Sequence, residues 1–186
     1  MKAILARAQN KTQDTLGPFL REVVFGVHDA LLTNIGIVTG FVAALSSVRL
    51  IVIASMIDLF ISAFAMAFGT YLSRISEQQY LEEQLTDSKS VTDILGNPIA
   101  GAVVMWFTYV IAGIIPLLPF FFGVSAQSAL QIATLLALSV FFLVGLLKGY
   151  LTQTSPLKSG LQFLIFGTVA AGIGYLIGTY GQQFLG

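Results

Sequence analysis

No cysteine occurs anywhere in the 186 residues, and histidine occurs once, at His28. The first absence excludes a disulfide framework, a thiolate metal site and iron–sulfur ligation, and the second excludes any multi-histidine centre within one chain. Metal ligands, if the chain uses them, must be oxygen or thioether. Charge is scarce as well: 10% of the residues are charged, nine basic against nine acidic, for a formal net charge of +0. With no basic patch, nucleic acid is not a partner. HExxH, GxSxG and a Walker loop are all missing, so the chain does not read as an enzyme and calls for no cofactor. Ser155 and Lys158 lie close together, but in a polar turn they read as a helix cap and an orienting charge. The stretch Met1–Pro18 is polar and basic and lacks a secretory pattern.

What fills the chain instead is apolar. Hydrophobic residues make up 56% of it, and the mean hydropathy of +0.87 places it in lipid. A helix needs roughly 20 residues to cross a hydrocarbon core of about 30 Å. Five runs meet that length: Val23–Leu45, Leu50–Leu72, Ile99–Phe122, Ala126–Gly149 and Leu161–Tyr180. The runs are continuous and carry small residues at helical spacing, unlike the short alternating strands of a barrel. The fold class is therefore all-α, a polytopic membrane protein with five transmembrane helices. It divides into an N-terminal arm over 1–20 and a transmembrane domain over 21–186.

The longest polar stretch, Ser73–Asn97, reads as a short connector. Its acids Glu77, Glu82, Glu83 and Asp87 suit a separate surface helix that stops at Gly96-Asn97-Pro98. Basic residues orient the chain. Lys2, Arg7, Lys11 and Arg21 precede the first span, Arg74 and Lys89 follow the second, and Lys148 and Lys158 follow the fourth, leaving only Arg49 on the other side. By the positive-inside rule the N-terminus is cytoplasmic, and five spans put the C-terminus outside or in a lumen. Pro116, late in span three, removes a backbone donor and predicts a kink or an end to that helix.

Function points to acids inside the apolar runs. Asp29 sits well within span one, where a carboxylate costs about 2.5–3.5 kcal/mol unless partnered or hydrated. At 100° per residue, Glu22, Gly36 and Gly40 all fall within about 20° of Asp29, so two acids and a GxxxG share one stripe. That face is expected to meet protein, because glycines four apart admit another helix closely. Glu22, beside Arg21, reads equally well as an interfacial ion pair. Span two carries a second intramembrane acid, Asp58, with Ser62, Ala65 and Gly69 on nearly the same face and Met66 bordering it. A divalent cation displaces protons from paired carboxylates, the physical basis for exchanging metal for protons at one site. Carboxylates with a thioether suit first-row transition metals better than alkaline-earth ions.

These residues resemble the vacuolar iron transporter family. The resemblance rests on Arg21-Glu22 followed by Asp29-Ala30, and on Asp58, Ala65-Met66 and Gly69-Thr70-Tyr71. It continues through Asn97-Pro98, Gly113 with the PLLP at Pro116–Pro119, and GLLKG at Gly145–Gly149, and it ends on SPLKSGLQ with a glycine-rich last span. It implies a homodimer in the lipid bilayer whose path runs between the two copies, and export of ferrous iron, often manganese too, from the cytosol in exchange for protons. It also implies that Asp29 and Met66 are metal ligands, Asp58 a path acid and Glu22 an acid at the cytoplasmic mouth. A second copy packed on Gly36 and Gly40 would bring two Asp29 side chains to a common axis. The chain departs from the family in its short connector, in Thr70 where a glutamate is common, and in Ala30 for the usual glycine. Whether the membrane is that of the cell or of a vacuole is left open. The competing reading is a non-transporting membrane assembly or sensing component whose buried acids only hold helices together.

Overall fold

Four of the five helices start where the sequence supplies a cap or a proline. In the computed structural model, which describes residues 19–84 and 96–185, five helices follow one another. They are α1 (Leu20–Ala43), α2 (Val48–Gln84), α3 (Pro98–Ile114), α4 (Ala126–Leu151) and α5 (Pro156–Leu185). Asn97 accepts from the backbone N–H of Ile99 at 2.8 Å and of Ala100 at 3.3 Å, with Pro98 occupying a position that needs no donor. Ser125 caps α4 through the N–H of Ser128 at 3.2 Å. All five helices are long and apolar enough to cross a membrane.

The helix ends explain where the expected spans shift. Span one stops at Ala43 because Leu45 turns left-handed, with φ of 54°. Its N–H donates to the Val42 carbonyl and the Ser46 N–H to the Phe41 carbonyl, a Schellman closure made without glycine. Gln153 (φ 55°) ends α4 in the same way, with Thr154 N–H on the Gly149 carbonyl. Pro116 acts as expected: α3 ends at Ile114 and tightens into a 3₁₀ helix over Ile115–Phe122.

The connector differs from the expectation. Residues 73–84 form no separate surface helix; they continue α2 without a break, so Glu77, Glu82 and Glu83 ride on its last turns. No glycine or proline interrupts Ser73–Gln84, and nothing there stops the helix. Gln78 Nε2 then donates to the Gly96 carbonyl at 3.1 Å, tying this extension to the start of α3. Asp87 and Lys89, like the arm up to residue 18, lie outside the described residues.

Helix α1 is the centre of the bundle and touches all four of its neighbours. Small residues decide how closely they approach. Along α4 every fourth residue is buried, through Ala129, Ala133, Ala137, Phe141, Gly145 and Gly149. A Cβ at Gly145 would stand 2.7 Å from the Gly160 Cα, so α4 and α5 meet backbone to backbone. Helices α1 and α5 do the same. A Cβ at Gly174 would strike the Gly36 carbonyl oxygen, and one at Gly178 the Gly40 carbonyl oxygen. Gly36 and Gly40, expected to receive a second copy, meet the glycines of α5 in the same chain, yet both stay partly exposed. Large apolar side chains such as Phe64, Phe68, Leu135 and Ile165 point outward, as lipid-facing residues do.

Candidate functional site

Helices α1, α2 and α3 share a polar seam built in layers one helical turn apart. On α3 the seam is a strict four-residue stripe of Gly101, Met105, Tyr109 and Gly113. The facing stripe on α1 runs through Glu22, Gly26, Ala30 and Asn34, with Asp29 one position to its side. The antiparallel α2 supplies Arg74, Met66, Ser62 and Asp58.

The first layer is an ion pair. Arg74 holds Glu22 through both carboxylate oxygens, Nε donating to Oε1 at 3.1 Å and Nη2 lying 2.8 Å from Oε2. The two side chains are only 7% and 5% exposed. The Arg74 guanidinium lies 5.3 Å from the ring centre of Phe19 and presses on Gly101, where a Cβ would come within 2.6 Å of Nε. The ion pair compensates the buried charge, although only Oε1 accepts a hydrogen bond; Oε2 lies within ion-pair distance without one. Glu22 therefore pairs across the seam with Arg74, 52 residues away, and not with its neighbour Arg21, which is exposed.

Directly beneath lies a cavity of about 210 Å³, lined by Glu22, Met66, Thr70, Arg74 and Met105 among others. Gly26 makes room for the Met105 sulfur, which lies 3.1 Å from where a Cβ on Gly26 would stand.

The third layer holds the two intramembrane acids. Ser62 Oγ donates to Asp58 Oδ1 at 3.4 Å, while Asp58 Oδ2 is buried with no protein partner. Asp29 is near enough to Asp58 to act on it electrostatically, and both act on the buried Tyr109. Tyr109 is buried in this layer, with its phenol near Thr33 and Ser62. The adjacent His28 turns the other way, edge-on to Phe141, Phe163 and Phe166 at 4.8–5.7 Å, and reads as packing.

The last layer closes the seam. Asn34 is fully buried, donates to the Ala30 carbonyl at 3.2 Å, and leaves its Oδ1 unpartnered. Its Nδ2 would lie 2.8 Å from a Cβ at Gly113, the position that also abuts Leu59. Among the described residues no three His, Cys, Asp or Glu side chains gather into a metal-binding group. Any ligand set on this seam must add thioether, hydroxyl or amide oxygen to the carboxylates.

Residues 20–93 and 88–179 match the model of the VIT family. The chain belongs to the VIT family. It is similar to the vacuolar iron transporter 1 of Eucalyptus grandis, 24% identical over 84% of each chain. The Arabidopsis thaliana vacuolar iron transporter 1 is 22% identical over 91% of this chain and 88% of its own length. The two halves of the VIT match meet at residues 88–93, in the α2–α3 connector. The Eucalyptus alignment runs 209 positions, longer than this 186-residue chain, so that relative carries residues this one lacks. By contrast, vacuolar iron transporter homolog 3 of Arabidopsis aligns over 177 positions that cover 90% of the chain at 25% identity, with few gaps.

Of the sequence-predicted residues, Glu22 and Met66 line the same cavity, and Asp58 lies further along α2, near enough to Asp29 to interact with it. Arg74, Met105 and Tyr109 were not expected there. Arg74 reads in sequence as an orienting charge. The four-residue spacing of Gly101, Met105, Tyr109 and Gly113 was the signal for the other two.

Proposed function

We propose that this chain moves a divalent transition metal, iron or manganese, out of the cytosol in exchange for protons. Membership of a transporter family argues against an enzyme. The observation that carries the reading is the pair of intramembrane acids, Asp29 and Asp58, near enough to interact inside five apolar helices, with Met66 two turns further along α2. Intramembrane carboxylates that line an interior face mark ion and proton paths. In this reading Asp29 and Met66 bind the metal, Asp58 accepts the displaced proton, and Glu22 lies at the mouth. Iron as cargo is supported by the names of the relatives. The basic residues that flank the Arg74 end of the bundle support placing that end in the cytosol.

The working unit in this proposal is a homodimer in a cell or vacuole-type membrane. An apolar groove of about 780 Å³ runs between α1 and α5, past Leu32, Gly36, Gly40, Ile173 and Gly174, and gives a second copy a surface on the glycine face of α1. The test is ferrous and manganous uptake into proteoliposomes carrying an imposed pH gradient. Wild type is expected to transport and Asp29→Asn to lose most of the flux. Equal, pH-independent flux in both rejects the reading.

One observation favours the structural reading for a single acid: Glu22 is already neutralised by Arg74. If all the acids were structural, Asp58→Asn would leave metal affinity unchanged in calorimetry and weaken the assembly in sizing experiments.

A further inference from the structure

We propose that the cavity beside the Glu22–Arg74 pair holds the phosphate of an anionic phospholipid, drawn from the leaflet at the Arg74 end of the bundle. The proposal goes beyond the transport reading and does not rest on it. Two guanidinium groups, Arg21 of α1 and Arg74 of α2, line this space of about 210 Å³, and Glu22 is the one acid on its wall. Arg74 and Glu22 compensate each other at 2.8 Å, so the charge of Arg21 stands over and the wall is positive on balance. Such a wall repels a cation and is completed by an anion.

Hydroxyl donors stand beside the charge. Thr70 and Ser73 of α2 line the same space, and hydroxyls together with a planar guanidinium fork are the side-chain donors that suit phosphate oxygens. The volume is many times the roughly 10–15 Å³ that one water needs, so a phosphate with its ester oxygens has room.

Position identifies the phosphate as a lipid's. On both helices the cavity straddles the end of an apolar run: Arg21 and Glu22 directly precede Val23 on α1, and Ser73 and Arg74 directly follow Leu72 on α2. That is the headgroup level of a bilayer, where basic pockets between helices take anionic headgroups. One turn inward the wall is apolar and open. Phe25 is 50% exposed, Gly69 is exposed, and a Cβ on Gly69 would meet nothing within 4 Å. An acyl chain can therefore run along Phe25 into the lipid while its phosphate stays between the arginines. The arm ahead of α1 does not supply the anion, since it carries Lys2, Arg7 and Lys11 against Asp14 alone.

Phosphatidylglycerol, titrated into the purified full-length protein in a neutral detergent, is the probe. Phosphatidylcholine with the same acyl chains and inorganic phosphate form separate arms. Native mass spectrometry counts the lipid retained, and thermal melts give the half-saturating amount. Wild type is expected to retain phosphatidylglycerol in preference to phosphatidylcholine, whose choline neutralises the phosphate, and to show a saturable rise in melting temperature that inorganic phosphate does not reproduce. Arg21→Gln, at an exposed position outside the ion pair, should raise the half-saturating amount about fivefold, the scale on which one basic residue attracts an anionic headgroup. Thr70→Val should shift it in the same direction. Arg49→Gln, the same change of charge at the opposite end of α2, should leave it where it is. Equal retention of the two lipids in wild type overturns the proposal without any variant having to fold. Binding by Arg21→Gln as tight as in wild type overturns it too, and an equal shift with inorganic phosphate overturns the lipid as the source of the anion.

Discussion

Arg74 of α2 grips both carboxylate oxygens of Glu22 of α1, at 3.1 and 2.8 Å, with each side chain more than nine-tenths buried. The pair bolts the start of span one to the far end of span two. Breaking one side strands a charge: Arg74→Ala is expected to destabilise the protein by about 3–5 kcal/mol, read from unfolding in mild detergent. The double replacement Glu22→Leu with Arg74→Met should recover most of that, because it removes both charges and keeps the volume. Lysine at position 74 will not substitute, since it lacks the planar fork that engages two oxygens.

Helices α1 and α5 meet through glycine backbones, and two neighbouring glycines of α5 separate contact from propensity. A Cβ at Gly174 would run into the Gly36 carbonyl oxygen, whereas one at Gly172 meets nothing within 4 Å. Gly174→Ala should therefore destabilise by about 1–3 kcal/mol through overpacking. Gly172→Ala should be neutral, or stabilising by up to about 1 kcal/mol from helix propensity. Parallel thermal melts of the two variants check the contrast; similar losses in both would count against the close α1–α5 approach.

Leu45 ends α1 in a left-handed conformation that non-glycine residues adopt at a penalty of roughly 1–2 kcal/mol. It is 78% exposed, so its side chain contributes little packing. Leu45→Gly should raise stability by about 1 kcal/mol, since the Schellman hydrogen bonds from residues 45 and 46 are kept. A fall in melting temperature would mean that Leu45 is held by contacts outside the chain.

The spans were legible because lipid demands about 20 apolar residues at a time, and the caps at Asn97 and Ser125 and the break at Pro116 are local chemistry. The candidate acids were legible for a similar reason, since Asp29 and Asp58 stand out in any apolar run. Helix-to-helix pairing was not. Gly36 and Gly40 announce a close approach, but nothing local says whether the visitor is α5 or a second copy. Glu22 lies next to Arg21 in sequence, yet a helix turns adjacent residues about 100° apart, and Arg74 arrives from the antiparallel α2. The uninterrupted helix through 73–84 was hidden by composition, because polar residues mark the membrane's edge without marking a helix's end.

Tyr109 provides the sharpest test of how the seam works. It is 1% exposed, its phenol faces Thr33 and Ser62, and both Asp29 and Asp58 act on it. Ser62 in turn donates to Asp58. Tyr109→Phe removes one oxygen and leaves the ring in place. If the seam only packs helices, the loss should be confined to about 0.5–1.5 kcal/mol for one hydrogen bond, with flux unchanged. If the hydroxyl helps position the acids for metal and proton, metal flux in proteoliposomes should drop several-fold while the melting temperature barely moves. We expect the second outcome, because Asp58 Oδ2 is buried with no protein partner and Ser62, which donates to its Oδ1, lies near the phenol. Ser62→Ala should then reproduce the flux defect in the same direction, and Thr168→Ala, on the exposed side of α5, should not.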